Sequence, residues 1–272
     1  IPVGRACKMD CRVIAMFMVP MPLETADAPF DSPDYLFEPK LDGRRAIVSR
    51  TGGATKLYSQ NGKEWTNPPP DFAEDLPDGT VLDGEAELPE GAGGKIRFIA
   101  YDILLHGGKD MRAMPLMKRK EILAGLKFAD PRIGVMPYLE DRGTALFESA
   151  VRAGLEGVVA KAKNGRYDVR RGDRWRNIVN WTCREVVITG YCLSEFGWLA
   201  AIPTDHGYVP AGWIRRGAKP EHKKRFYEVC RRIESGKHKD TVFLEPLLKA
   251  AVKTRGMTKS GMLRDPVFVS FL

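Results

Sequence analysis

The stretch YLFEPKLDGRRAIVSR, residues 35–50, sets a lone lysine, Lys40, behind a proline and ahead of Asp42, Gly43, Arg44 and Arg45. A lysine attacks as a nucleophile only once its amine has lost a proton, which nearby positive charge or burial promotes. Arg44 and Arg45 supply such charge, Asp42 can orient the amine or hold a divalent ion, and Gly43 permits backbone conformations closed to other residues. An amine beside cations suits attack on phosphorus, because the same cations stabilise the charge that builds on the phosphate in the transition state. A solvated turn with a salt bridge uses the same residue types, so other parts of the chain must separate the two readings.

From Tyr35 onward, short apolar runs alternate with turn signals. RRAIVSR, TKLYSQNG, GTVLDGEAEL and KIRFIAYDILL read as strands, with Gly52-Gly53 and Asn61-Gly62 as hairpin turns. PLMKRKEILAGL (115–126) opens on a proline and places apolar residues at Leu116, Ile122, Leu123 and Leu126, which predicts a helix. TALFESAVRAGLEG (144–157) predicts a second helix, capped by Thr144 and stopped at Gly154. EGVVAKA, EVVITGYCL, WLAAIPT and GYVPAGWI return to strand character; a basic helix PEHKKRFYEVCRRIESG and closing strands TVFLEPLLKAAVKTR and PVFVSFL follow. There is no internal repeat and no low-complexity tract. A boundary is expected near NWTCREVV, giving domains at 16–183 and 184–272, the second of a size suited to a small barrel.

Five motifs then stand in order: KLDGRR (40–45), SQNGK (59–63), LDGEAEL (82–88), FIAYDIL (98–104) and EGVVAK (156–161). The series resembles the covalent nucleotidyltransferases, the family of ATP-dependent DNA ligases, RNA ligases and mRNA capping enzymes. Within it the chain is similar to the compact bacterial ligases associated with double-strand break repair, from about Met16 onward. The resemblance implies an α+β protein: a mixed α/β nucleotidyltransferase domain (ATP-grasp-like ligase) followed by an OB-fold β-barrel that binds DNA. It implies that Lys40 attacks the α-phosphate of ATP, releases pyrophosphate and carries AMP, which passes to the 5′-phosphate of a nick before the 3′-hydroxyl displaces it.

Asp42 and Arg45 join Lys40 as catalytic residues by the same resemblance. Glu38 matches the residue that contacts the adenine amino group, Tyr101 the aromatic that stacks on adenine, and Arg45 and Glu85 the groups near ribose and nick. Glu85 and Glu156 match metal-binding carboxylates, Lys161 a phosphate-contacting cation, and Arg171 an arginine that precedes the last transferase motif. Magnesium is the expected metal, with manganese able to replace it, because two polyanions must be brought together.

Three departures from the pattern fall within the motifs or at the chain's end. The last transferase motif typically reads W-x-K-x-K; here Trp175 is kept while Asn177 and Val179 replace the lysines, leaving Arg174 and Arg176 as nearby sources of charge. Gln60 stands where an arginine contacting the nick phosphate is usual. TKSGMLRDPVF resembles the end of compact repair ligases without the C-terminal Arg-x-Asp-Lys motif, and Lys253, Lys259 and Arg264 are the candidates for supporting or DNA-facing cations.

Bulk composition agrees with a nucleic-acid partner. Residues 184–272 carry 16 Lys and Arg against 9 Asp and Glu, most of the net charge of +8 on 272 residues, and a concentrated basic surface suits a polyanion. Five cysteines without a CxxC pair argue against a disulfide framework and for a reducing cytoplasm, with nucleoid association; Cys7 and Cys11 are expected to be ordinary thiols. No run approaches the ~18 apolar residues of a membrane helix. Pro20 and Pro22 break the early apolar run, which excludes a signal peptide, and residues 1–15 are expected to be a tag or processing remnant. The expected partners are nicked duplex DNA and a Ku-type end-joining protein, with the chain itself a monomer. Two alternatives remain at this point: an RNA ligase or capping enzyme, and a catalytically impaired nucleic-acid-binding relative.

Overall fold

The computed structural model describes residues 16–65, 71–87, 96–170 and 174–272. The extension expected at residues 1–15, with Cys7 and Cys11, lies outside the described residues, as does Arg171. The chain divides into two compact units, Ile1–Val179 and Asn180–Leu272. Among the described residues, no helix is long and apolar enough to cross a membrane.

The first unit contains, in chain order, β1 (Glu24–Thr25), β2 (Ser32–Pro39), β3 (Arg44–Thr51), β4 (Ala54–Ser59), β5 (Thr80–Glu87), β6 (Arg97–His106) and β7 (Lys109–Asp110). There follow α1 (Leu116–Gly125), β8 (Ile133–Val135), β9 (Leu139–Asp141), α2 (Gly143–Arg152), β10 (Gly157–Ala162) and β11 (Trp175–Val179). They build two sheets. One has the order β1-β11-β10-β2-β9; the other runs β4-β3-β5-β6-β7, with β8 beside β6. The chain leaves the first sheet at Pro39 and enters the second at Arg44, so Lys40 to Gly43 form the passage between them.

Alternation along the strands decides what each face carries. In β10, Val158 and Ala160 pack with Phe37, Ile178 and Ala150 of α2, while Val159 and Lys161 point to the other face. That second face holds Trp175, which packs with Tyr101, Ile47, Val81 and Tyr167 from the neighbouring elements. A third cluster, including Val48, Leu57, Leu82 and Phe98, is covered by Leu123 of α1. Burial at roughly 25 cal/mol per Å² of apolar surface makes these clusters the main source of the unit's stability.

Local signals behave as the residues require. Gly52 and Gly53, at φ 62° and 75°, make a two-residue hairpin between β3 and β4. Gly84 is needed for close approach: a Cβ there would lie 2.4 Å from the Phe98 ring. The second predicted helix is present, but Thr144 is not its cap. The helix starts at Gly143, and the Thr144 N–H donates instead to Asp31 Oδ1 at 2.8 Å, a cap supplied from far along the chain.

The second unit comprises β12 (Thr182–Cys192), β13 (Trp198–Thr204), β14 (Gly207–Ile214), α3 (Pro220–Cys230), β15 (Glu234–His238), β16 (Thr241–Thr254) and β17 (Val267–Phe271). The sheet order is β14-β13-β12-β16-β15, with β17 also on β16, and a parallel bridge joins Arg216 to Val267. Trp198 fills its centre, against Phe226 of α3 and against Phe268 and Phe271 of β17. The basic helix is shorter than predicted: it ends at Cys230, and Glu234 to Gly236, expected as its last turn, already belong to β15.

Candidate active site

Lys40 follows the last residue of β2, and its backbone N–H donates to the Gly157 carbonyl at 2.9 Å, which ties the passage to β10. Its ammonium lies 2.9 Å from Glu156, whose side chain is 8% exposed against 21% for Lys40. Asp42 is exposed on the bend that follows. Gly43 sits where a Cβ would come within 2.8 Å of Glu85 Cγ, so the missing side chain lets this bend lie against β5. The Glu85 carboxyl is pushed up to about 7, chiefly by burial, against the lowering pull of Lys40 and Arg45; Asp83 and Glu156 add to the rise.

Arg45 is committed to a fixed geometry. Its Nε and Nη2 donate to Asp83 at 3.1 and 2.7 Å, and Nη1 donates to the Met21 carbonyl. Tyr167 completes the arrangement by donating its hydroxyl proton to Asp83 at 2.6 Å, while the Met21 N–H donates to that hydroxyl at 2.9 Å. Burial opposes the Arg45 charge, but Asp83 more than offsets it and holds the guanidinium above its ordinary value. Such a forked pair orients both groups as well as attracting them.

Pairing in the first sheet sets a second group. Glu38, Val159 and Asn177 lie in one cross-strand row, and Leu36, Lys161 and Trp175 in the next, all on the face opposite α2. Glu38 is 2% exposed and ion-paired with Lys161 at 2.6 Å and with Lys120 of α1. The Lys161 ammonium also lies 4.1 Å from the Tyr101 ring centre and 3.8 Å from that of Trp175. Burial pulls Lys161 down to about 8, with Glu38 raising it and Lys120 lowering it further. Tyr101 stands edge-on to Trp175 at 5.9 Å, so the two aromatics form walls around one cation.

The predicted residues therefore fall into two neighbourhoods and an outlying set. Lys40, Glu156 and Glu85 gather around the passage, with Arg45 opposite Glu85 on adjacent strands; Glu38, Lys161 and Tyr101 gather beside them. Gln60 is exposed just after Ser59, which pairs with Ala46, so it stands at the same end of the second sheet as Arg45. Arg174 runs beside Gly165. Arg176 lies on the other face from Trp175, with its guanidinium 5.7 Å from the Tyr35 ring. Lys253, 5.0 Å from the Trp181 ring, belongs to the second unit, as do Lys259 and Arg264.

Three contributors were not singled out from sequence: Lys120, Asp83 and Tyr167. Lys120 had a legible signal, since it sits four residues after Leu116 and three before Leu123, within the buried stripe of α1. Asp83 and Tyr167 are identified only by their partners.

The geometry of a lysine flanked by carboxylates and followed by a sheet-crossing Asp-Gly passage can be set beside known proteins. Residues 92–178 match the family described as ATP dependent DNA ligase domain. The SPbeta prophage-derived DNA ligase-like protein LigB of Bacillus subtilis (strain 168) is 31% identical over 94% of this chain and 99% of its own length. The chain belongs to the ATP-dependent DNA ligase family. Another ligase relative is the multifunctional non-homologous end joining DNA repair protein LigD of Mycobacterium tuberculosis, 28% identical over 85% of this chain, which spans only 35% of that protein. Among solved ligase structures, mycobacterial DNA ligase D complexed with ATP and MES is 26% identical, with a TM-score of 0.57, covering 93% of this chain and 94% of that one. A Lig E DNA ligase structure shares the fold at TM-score 0.68 and 17% identity, covering 94% of this chain and 100% of that one.

Proposed function

We propose that this ligase-family chain seals 5′-phosphate/3′-hydroxyl nicks in duplex DNA with ATP, in DNA repair. The observation that carries the reading is the placement of Lys40 on the passage between the two sheets, 2.9 Å from Glu156 and close to Glu85. In the first step the Lys40 amine attacks the α-phosphorus of ATP, a P–N bond forms, the bond to pyrophosphate breaks, and the amine's proton has Glu156 as its nearest acceptor. AMP then passes to the 5′-phosphate at the nick, freeing Lys40. The 3′-hydroxyl attacks that phosphate, forms the phosphodiester and releases AMP.

Glu38 is assigned to the adenine amino group and Tyr101 to the face of the base. Arg45, locked by Asp83, is assigned to ribose and phosphate, and Gln60 to the nick. Lys161 is buried between aromatic rings and paired with Glu38, which supports a role in shaping the base pocket more than direct contact with the triphosphate. Among the described residues there is no group of three or more His, Cys, Asp or Glu that would enclose a metal. Glu85 and Glu156 are two oxygen donors of the kind Mg²⁺ takes together with substrate phosphates, so the residues fit that ion. When bound it supplies charge neutralisation for the leaving pyrophosphate.

The second unit is assigned as an OB-type barrel for DNA. The strand order β13 beside β12, β12 beside β16 and β16 beside β17, with a parallel bridge from the end of β14 to β17, supports a closed five-strand path, and α3 lies after its third strand. Nicked duplex as partner, a Ku-type end-joining protein and a monomeric state belong to the same proposal. Asn177 and Val179 favour one competing reading, a DNA-binding relative that no longer reacts. A gel assay of nicked duplex with ATP and Mg²⁺ separates them: sealing supports the ligase, whereas DNA binding without sealing or adenylation supports the competitor.

A further inference from the structure

Four residues from distant parts of the chain, Met21, Arg45, Asp83 and Tyr167, close one circuit of hydrogen bonds. Arg45 donates to both Asp83 oxygens and, through Nη1, to the Met21 carbonyl. The N–H of the same Met21 donates to the Tyr167 hydroxyl at 2.9 Å, and that hydroxyl donates to Asp83 at 2.6 Å. Asp83 is fully buried and Tyr167 is 5% exposed, so water competes little for these bonds. Burial, and then Asp83, holds the Tyr167 hydroxyl well above the usual tyrosine range, so it stays protonated and donates.

Tyr167 and Met21 are each held from outside the circuit as well. The Tyr167 ring stands edge-on to Trp175 at 5.6 Å, the Arg119 guanidinium lies 5.8 Å from its centre, and its backbone N–H donates to the Arg112 carbonyl at 2.9 Å. Met21 is fully buried between Pro20 and Pro22, which restrict the backbone there, and its sulfur accepts the Asp168 N–H at 3.3 Å. What the circuit adds to the Arg45–Asp83 pair is direction. The terminal torsion of an aspartate is broad, so the pair alone leaves the plane of the fork loosely set. A guanidinium has five N–H groups in that plane. Asp83, Met21 and a longer contact of 3.4 Å from Nη2 to the Tyr167 oxygen take four of them. Among the described residues one Nη1 N–H is left for a ligand, on a side chain 12% exposed, and it points where the circuit aims it.

We propose that Tyr167 is a positioning residue for adenylyl transfer: its hydroxyl, steadied by the Met21 peptide, pins the Asp83 carboxylate and thereby aims Arg45 at the nucleotide. It acts through Arg45 and not by contact with ATP. This rests on the ligase reading above and extends it to a residue outside the five motifs.

The test is single-turnover formation of the lysyl-AMP adduct at saturating ATP, in a double-mutant cycle of Tyr167→Phe with Arg45→Lys. Phenylalanine keeps the ring and its packing and removes only the hydroxyl. Lysine keeps a cation opposite Asp83 but has no planar fork to orient. Tyr167→Phe alone should slow adduct formation about tenfold, the scale of one hydrogen bond to a charged group. On Arg45→Lys the same change should slow it by less than about twofold, because the group through which it acts is gone. A tyrosine that only supports the fold would change both rates by one factor. Equal factors in the two backgrounds, or no loss in the parent, overturn the proposal and leave the ligase reading standing. Absence of the adduct in the parent overturns both. If Tyr167→Phe fails to fold, Asp83→Asn removes the other end of the same hydrogen bond, and a loss of rate that is equal in the parent and on Arg45→Lys overturns the proposal.

Discussion

Glu85 shows how a residue's environment sets its chemistry. Its carboxyl titrates at about 7 in the folded chain against an ordinary 4.5, so between those values the folded state binds more protons than the unfolded state. The stability associated with this group is therefore fully present below about 4.5 and is lost as pH rises through 7. Glu85→Gln cannot ionise, and is expected to melt several degrees above the parent at pH 8 but close to it at pH 5. Thermal denaturation at the two pH values checks this; an equal difference at both would contradict it. Lys40 and Glu85 were legible because each sits in a short motif whose order is informative. Asp83 stands in the same LDGEAEL motif as Glu85 but was given no role of its own, because only the partner strand reveals that it fixes Arg45.

Elements were easier to read than their ends. The hairpin at Gly52-Gly53 and the three helices followed from turn chemistry and periodicity, which are local. The cap of α2 was misread because Asp31, not Thr144, supplies it across the fold. The last turn assigned to α3 was misread because ESGKH pairs with β16, and tertiary pairing overrides a polar segment's weak helical preference. The docking of α1 on β6 rests on Arg119 and Asp102, both fully buried. Asp102→Ala leaves an uncompensated buried guanidinium and should destabilise the first unit by about 3–5 kcal/mol. Pairing it with Arg119→Met should recover much of that loss. Urea unfolding of Asp102→Ala, Arg119→Met and the double variant measures the coupling, and additive losses would contradict it.

At the scale of the whole chain, the charge distribution was visible from composition alone, whereas the roles of individual cations were not. Arg176 was a candidate for replacing the motif lysines, but β-strand alternation sends it to the face of Tyr35. With residues 184–272 carrying most of the net positive charge, affinity for nicked duplex should fall about a hundredfold between 50 and 200 mM salt if about four phosphates are neutralised. Salt titration of binding checks this, and a flat response would argue against a phosphate-contacting surface. The central claim concerns Lys40, and protein labelling with ATP radiolabelled at the α-phosphate tests it most directly. The parent chain is expected to form an acid-labile AMP adduct that nicked DNA discharges, and Lys40→Ala none. An adduct of equal yield on Lys40→Ala, or no adduct on the parent, would contradict the assignment.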